Sequence, residues 1–79
     1  MATLRLFAAA REAAGTGSTD VSGATVEDVL SGAVAMFGQR FADVLASSKV
    51  WVNGEEVPRT HAVSDKDEVA VLPPVSGGM

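Results

Sequence analysis

The chain has 79 residues, a hydrophobic fraction of 47% and a net charge of −4, from six Lys and Arg against ten Asp and Glu. That length makes one domain with a thin core, because so small a chain buries only about 60% of the surface its unfolded form exposes. The acidic balance excludes, on average, nucleic acid or an anionic membrane surface as a partner, and the absence of cysteine excludes a disulfide framework, a thiolate nucleophile and a zinc-thiolate cluster. No apolar run approaches the roughly 20 residues of a membrane span, and Met1–Leu6 lacks the uninterrupted apolar stretch of a signal peptide. A soluble cytosolic domain is the expectation.

Taken in order, Thr3 to Ala8 alternates Leu4 and Leu6 against Arg5, the period of a first strand, with Phe7 adding an apolar side chain opposite the leucines. Ala9 to Ala14 is rich in helix formers and runs into Gly15, a natural left-handed cap, so a short helical turn is expected. Ser18 to Ser22 fits a short strand with Thr19 and Val21 on one side. Thr25 is a good N-cap with Asp28 in capping-box spacing, and Val26, Val29, Leu30, Ala33, Val34 and Phe37 follow at helical intervals until Gly38. Gly32 falls inside this main helix and costs up to about 1 kcal/mol relative to Ala, unless a neighbouring backbone needs the room.

Phe41, Val44 and Leu45 are spaced for one more helical turn under the sheet. Val50-Trp51-Val52, Asn53-Gly54 and Glu55-Glu56-Val57 then make a hairpin, because Asn-Gly is preferred where a two-residue turn needs positive φ, and Pro58 ends or edges its second strand. After the polar turn Asp65-Lys66-Asp67, Glu68 to Leu72 reads as a last strand, apolar enough to be buried on both faces beside a parallel first strand. The order predicts an α+β, β-grasp (ubiquitin-like) fold: a mixed five-stranded sheet, one main helix and short helical turns. Residues 1–72 form the domain and 73–79 a flexible tail.

That tail reads Pro73-Pro74-Val75-Ser76-Gly77-Gly78-Met79. The prolines stop the strand and bias the chain to an extended path, whereas the glycines make a slim thread able to enter a narrow channel. His61 completes neither a Ser-His-Asp set nor a metal set, and is expected in a solvated loop. Glu55-Glu56 and Asp65-Lys66-Asp67-Glu68 lack the ligand spacing of a calcium loop and read as solvated turn charges. Gly15-Thr16-Gly17-Ser18 lacks the Gly-Lys-Ser/Thr of a phosphate-binding loop and reads as a connector.

Segments along nearly the whole chain carry a resemblance. Phe7-Ala8-Ala9-Ala10-Arg11-Glu12-Ala13-Ala14-Gly15, Thr25-Val26-Glu27-Asp28-Val29-Leu30, Val52-Asn53-Gly54-Glu55 and Asp65-Lys66-Asp67-Glu68-Val69-Ala70 lead in order to Leu72-Pro73-Pro74-Val75-Ser76-Gly77-Gly78. Together they resemble the MoaD family, the small sulfur-carrying subunit of molybdopterin synthase, within the ThiS/MoaD superfamily. The resemblance implies that Gly78 carries the reactive carboxyl, adenylated and then converted to a thiocarboxylate, with Gly77 as the slim position before it. It implies docking contacts at Phe7, Arg11, Leu72, Pro73, Pro74, Val75 and Ser76, although Phe7 and Leu72 fit plain core equally well. The implied partners are a MoaE-type large catalytic subunit in a heterotetramer, a ubiquitin-activating-like adenylyltransferase of the MoeB type, and a sulfur donor protein. This chain is expected to bind no cofactor or metal itself, since ATP and magnesium belong to the activating partner.

The sequence departs from the family in one place: Met79 occupies the position after the second glycine. While it is present Gly78 has no free carboxylate, so removal of Met79 by a peptidase is expected. The rivals are a non-carrying paralogue, a ThiS-like carrier for thiazole synthesis, and a ubiquitin-like binding module whose tail is dispensable.

Overall fold

The computed structural model describes residues 1–74. The elements are β1 (Ala2–Leu6), α1 (Ala8–Ala14), β2 (Ser18–Val21), α2 (Val26–Phe37), α3 (Gln39–Leu45), β3 (Lys49–Val52), β4 (Glu55–Glu56) and β5 (Glu68–Leu72). They form one mixed sheet in the order β2-β1-β5-β3-β4. The first and last strands pair in parallel at its centre, Leu4 against Val69 and Leu6 against Val71, and the neighbouring β1–β2, β3–β5 and β3–β4 pairs are antiparallel. This is the β-grasp, ubiquitin-like fold expected.

All three helices feed one core on one side of the sheet. Alternation along the strands sends Leu4, Leu6, Val50, Val52, Val69 and Val71 inward, where they meet Val26, Val29, Leu30 and Ala33 of α2 and Phe41 and Leu45 of α3. Among the described residues no polar or charged side chain is buried. The main helix begins as its sequence predicts, with the Thr25 Oγ1 accepting from the Asp28 N–H at 3.2 Å. The reciprocal bond is displaced by one residue, for the Asp28 carboxylate accepts from the N–H of Ala24 rather than of Thr25. Gly32 has its explanation in packing: a Cβ there would stand 2.8 Å from Cγ1 of Val21. The group needing room is therefore a side chain of β2 and not a neighbouring backbone.

Two local expectations are corrected. β1 stops at Leu6 instead of running to Ala8, because Ala8 takes a φ of 51°, a left-handed conformation that costs a non-glycine residue about 1–2 kcal/mol; the chain turns there into α1, leaving Phe7 extended as its N-cap. β5 is buried on one face only. Val69 and Val71 are fully buried, but Ala70 is half-buried and Leu72 exposed, because all the helices lie on the side of the valines and the other face of the sheet is open.

The hairpin turns where the sequence places it, with Asn53 at φ 50° and Gly54 at φ 87°. Asn53 also does something the turn alone does not require. Its backbone N–H donates to the Glu68 carbonyl at 3.0 Å and its side-chain carbonyl accepts from the Glu68 N–H at 2.9 Å, extending the β3–β5 ladder by a side chain. Its amide donates to the Asp67 carboxylate at 2.9 Å, which also accepts from the Ser64 N–H at 2.8 Å. Asp67 is thus a tie between two turns rather than a freely solvated charge. These bonds hold its carboxyl below the ordinary aspartate pKa, Asn53 contributing most and the Ser64 N–H next.

A lowered folded pKa means that the ionised form stabilises the fold above the ordinary aspartate value, and that this contribution is lost as pH falls through the lowered one. Melting temperature followed through that acid window should therefore decline in the parent protein. Asp67→Ala should flatten the part of the decline due to this group and lower the melting temperature at neutral pH, where the ionised carboxylate accepts from Asn53 and Ser64. An unchanged acid limb in the variant would contradict the role given to Asp67.

Candidate functional site

On the open face of the sheet the side chains stand in rows set by the register. Arg5 pairs with Ala70, Ala70 with Trp51 and Trp51 with Glu56, so these four cross the sheet in one line. One step toward the end of β5, Leu72 pairs with Lys49, and Phe7 comes beside it because Leu6 is the partner of Val71. One step the other way lie Asp20, Thr3 and Glu68. The small side chain of Ala70 leaves a shallow groove of about 240 Å³ lined by Phe7, Trp51, Ala70 and Leu72, with Asn53, Gly54 and Glu68 at one end.

The expected docking residues can now be placed. Phe7 is 40% exposed and Leu72 36%, so neither is plain core; both line the groove. The guanidinium of Arg5 lies 5.8 Å from the Phe7 ring centroid, a cation–π distance, and 3.4 Å from the Glu68 carboxylate. Arg11 is exposed on α1. Its side chain lies over Gly17, where an added Cβ would be 3.4 Å from Nε, and it helps Arg5 and Phe7 line a second depression beside the groove. Pro73 is half-buried and Pro74 exposed. Val75, Ser76, Gly77, Gly78 and Met79 lie outside the described residues.

Sequence reasoning missed four members of this surface: Trp51, Ala70, Asn53 and Lys49. For Trp51 a signal existed, since a tryptophan between two valines in a strand faces away from the side they bury. For Ala70, Asn53 and Lys49 the relevant fact is register with residues far away in sequence, which no local pattern carries. His61 is exposed in its loop, where its backbone carbonyl accepts from the Val26 N–H at 2.9 Å. No three metal-ligating side chains gather among the described residues, and no described helix is long and apolar enough to cross a membrane. The groove is apolar at its centre and bordered by charges of both signs, Arg5 and Lys49 against Glu68 and Glu56.

Comparison with known proteins identifies relatives of this fold. Residues 4–78 match the model of the ThiS family. SAMP1 from Haloferax volcanii is 35% identical over 96% of this chain and 97% of its own, with a TM-score of 0.81. The putative molybdopterin converting factor subunit 1 from Pyrococcus furiosus is 26% identical over 94% of this chain and 97% of its own, with a TM-score of 0.81. The Amycolatopsis orientalis BexX/CysO complex contains a chain 25% identical over 99% of this one and all of its own, with a TM-score of 0.84. A match running from the first strand to the second glycine of the tail, on a ubiquitin-like sheet, means that this chain belongs to the ThiS family.

Proposed function

We propose that the chain is a sulfur carrier for molybdenum cofactor biosynthesis, the small subunit of a molybdopterin synthase, working through a Gly78 thiocarboxylate formed after loss of Met79. One observation carries the reading: the strand that floors the exposed groove, β5, is also the strand whose sequence continues through Pro73-Pro74 to Gly77-Gly78. A partner seated in the groove therefore meets the domain where its terminal carboxyl is tethered, which raises the effective concentration of that group at the partner's site.

The chemistry follows from having no thiol. In an activating partner of the adenylyltransferase type, with its own ATP and magnesium, the Gly78 carboxylate attacks the α-phosphate and pyrophosphate leaves. The terminal sulfur of a donor protein's persulfide then attacks the acyl adenylate, expelling AMP and forming an acyl disulfide, and a second thiol attacks the donor's sulfur in that disulfide, releasing the thiocarboxylate on the tail and leaving a disulfide behind. In a MoaE-type subunit that sulfur attacks an oxygen-bearing carbon of the pyranopterin precursor, whose oxygen leaves, and water then cleaves the acyl carbon–sulfur bond, so that the sulfur stays on the precursor and the tail returns to a carboxylate. Two such transfers build a dithiolene. Binding and acid–base groups come from the larger partner, and this chain contributes sulfur and position.

The test is mass. A chain cut back to Gly78, incubated with the activating enzyme of its own organism, ATP and a sulfur donor, should gain the difference between one sulfur and one oxygen atom; the chain retaining Met79 should not. If the trimmed chain never gains it, the proposal fails. The 35% identity to SAMP1, whose relative of the same name from Methanosarcina acetivorans is described as a small archaeal modifier protein, favours a second reading, in which the activated carboxyl is passed to amines of other proteins. That reading is distinguished by adducts of the whole chain on other proteins, which a pure carrier does not leave. A carrier for thiazole synthesis shares the activation step and differs only in the protein that accepts the sulfur.

A further inference from the structure

We infer that Asn53 is a latent site of hydrolytic deamidation, kept unreactive by two bonds that its side chain makes across the sheet, so that it is converted only when β3 and the start of β5 part. The inference is independent of the carrier reading and concerns how long a folded molecule lasts.

Asn53 is the chain's only asparagine, and Gly54 follows it. The pair serves the turn because both residues take positive φ. It also suits an internal reaction, because glycine has no Cβ to shield its nitrogen. Nothing lies within 4 Å of where a Cβ on Gly54 would stand, and among the described residues its N–H donates to no backbone carbonyl. Both residues are exposed, so water reaches them.

The Gly54 nitrogen, having given its proton to hydroxide, attacks Cγ of Asn53. An N–C bond forms and closes a succinimide ring, while the side-chain nitrogen takes a proton from water and leaves as ammonia. A water molecule then adds to one of the two ring carbonyls and breaks its bond to nitrogen. Opening at the side-chain carbonyl gives aspartate. Opening at the main-chain carbonyl gives isoaspartate, which routes the main chain through the side chain and lengthens it by one carbon. In either case one water enters and one ammonia departs.

The attack requires Cγ to come over the Gly54 nitrogen, and in the folded molecule the amide is committed elsewhere. Its nitrogen donates to the Asp67 carboxylate at 2.9 Å, and its oxygen accepts from the Glu68 N–H at 2.9 Å. An ionised carboxylate only accepts and a backbone N–H only donates, so the two partners also fix which end of the amide is which. Asp67 is itself held by the Ser64 N–H at 2.8 Å, and the Asn53 N–H donates to the Glu68 carbonyl at 3.0 Å. The side chain cannot swing over Gly54 until both of its partners let go. Asp67 is therefore a positioning residue that protects by geometry rather than by burial.

Conversion does not leave the fold as it was. A carboxylate at position 53 would face the Asp67 carboxylate where a donor had stood, setting like charges at hydrogen-bond distance. The isoaspartate form adds a carbon to a two-residue turn that holds Val52 opposite Glu55. A molecule that reacts once opens more easily afterwards, and the change is not reversed by refolding.

The experiment follows deamidation at Asn53 by mass and by isoaspartate content in mildly alkaline buffer. The parent, Asp67→Ala and Phe41→Leu are each held the same interval below their own melting midpoint, so that global unfolding contributes equally. Asp67→Ala should react roughly tenfold faster than the parent, the bias that one hydrogen bond to a charged group gives an equilibrium. Phe41→Leu alters a fully buried side chain of α3, leaves the Asn53 bonds in place, and should stay within roughly twofold of the parent. In urea, where all three are unfolded, the rates should coincide. Asp67→Ala reacting at the parent's rate, or Phe41→Leu accelerating as much as it does, overturns the inference. Should Asp67→Ala not fold, the parent alone decides: exchange of the Glu68 N–H, freed by the same opening, should climb in step with deamidation as temperature rises, and deamidation while that amide stays protected overturns the inference.

Discussion

A chain ending at Ser76 is expected to melt at the same temperature as the full protein and to accept no sulfur at all. The first half follows from where the core ends: among the described residues its last member is Val71, and the last strand ends at Leu72. Surface residues beyond such features usually change stability by no more than about 0.5 kcal/mol. The second half follows from the proposed chemistry, in which the electrophile is the terminal carboxyl itself and no side chain can replace it. Circular dichroism melting and intact mass after incubation with the activating system read the two halves separately. A dispensable tail, with partner function intact in the shortened chain, would instead identify a binding module.

The second large effect is expected at Phe41. It is the largest fully buried side chain and has no exposed surface; its ring packs edge-on against Phe37 with centroids 5.3 Å apart. Phe41→Ala should cost about 3–5 kcal/mol, from lost burial and the cavity left behind. A domain of this size has roughly 4–12 kcal/mol in all, so the variant should be largely unfolded near body temperature or show a greatly lowered urea midpoint. Phe41→Leu, which keeps most of the volume, should lose far less. A small effect of the alanine variant would mean that α3 can be released from the sheet without opening the core.

Much of the fold was legible because its signals are local. Thr25 and Asp28 announced the start of α2, Gly15 and Gly38 the ends of helices, and Asn53-Gly54 the hairpin, each through a backbone requirement that few residue types meet. Errors arose where the answer depended on what covers a surface. The run Glu68-Val69-Ala70-Val71-Leu72 is apolar at four of its five positions, and nothing within it says that every helix will settle on the side of the two valines. Phe7 and Leu72 were ambiguous for the same reason. The groove was the least legible feature, since Ala70 acquires its role only from Phe7 on one neighbouring strand's end and Trp51 on the other. Gly77 and Gly78, outside the described residues, are read from the sequence alone, and the proposed chemistry rests on that reading.

The parallel pairing of β1 with β5 has a consequence for the order of events in the cell. The middle of the sheet joins the two ends of the domain, so no partial chain can assemble it, and the entropy of closing so long a loop must be met before any central pairing is rewarded. A ribosome must release the last strand before the first has its inner neighbour. Fragments halted during synthesis therefore cannot offer the groove, to which β5 gives Glu68, Ala70 and Leu72, and a protein that recognises that face would pass over any chain whose last strand is still unmade.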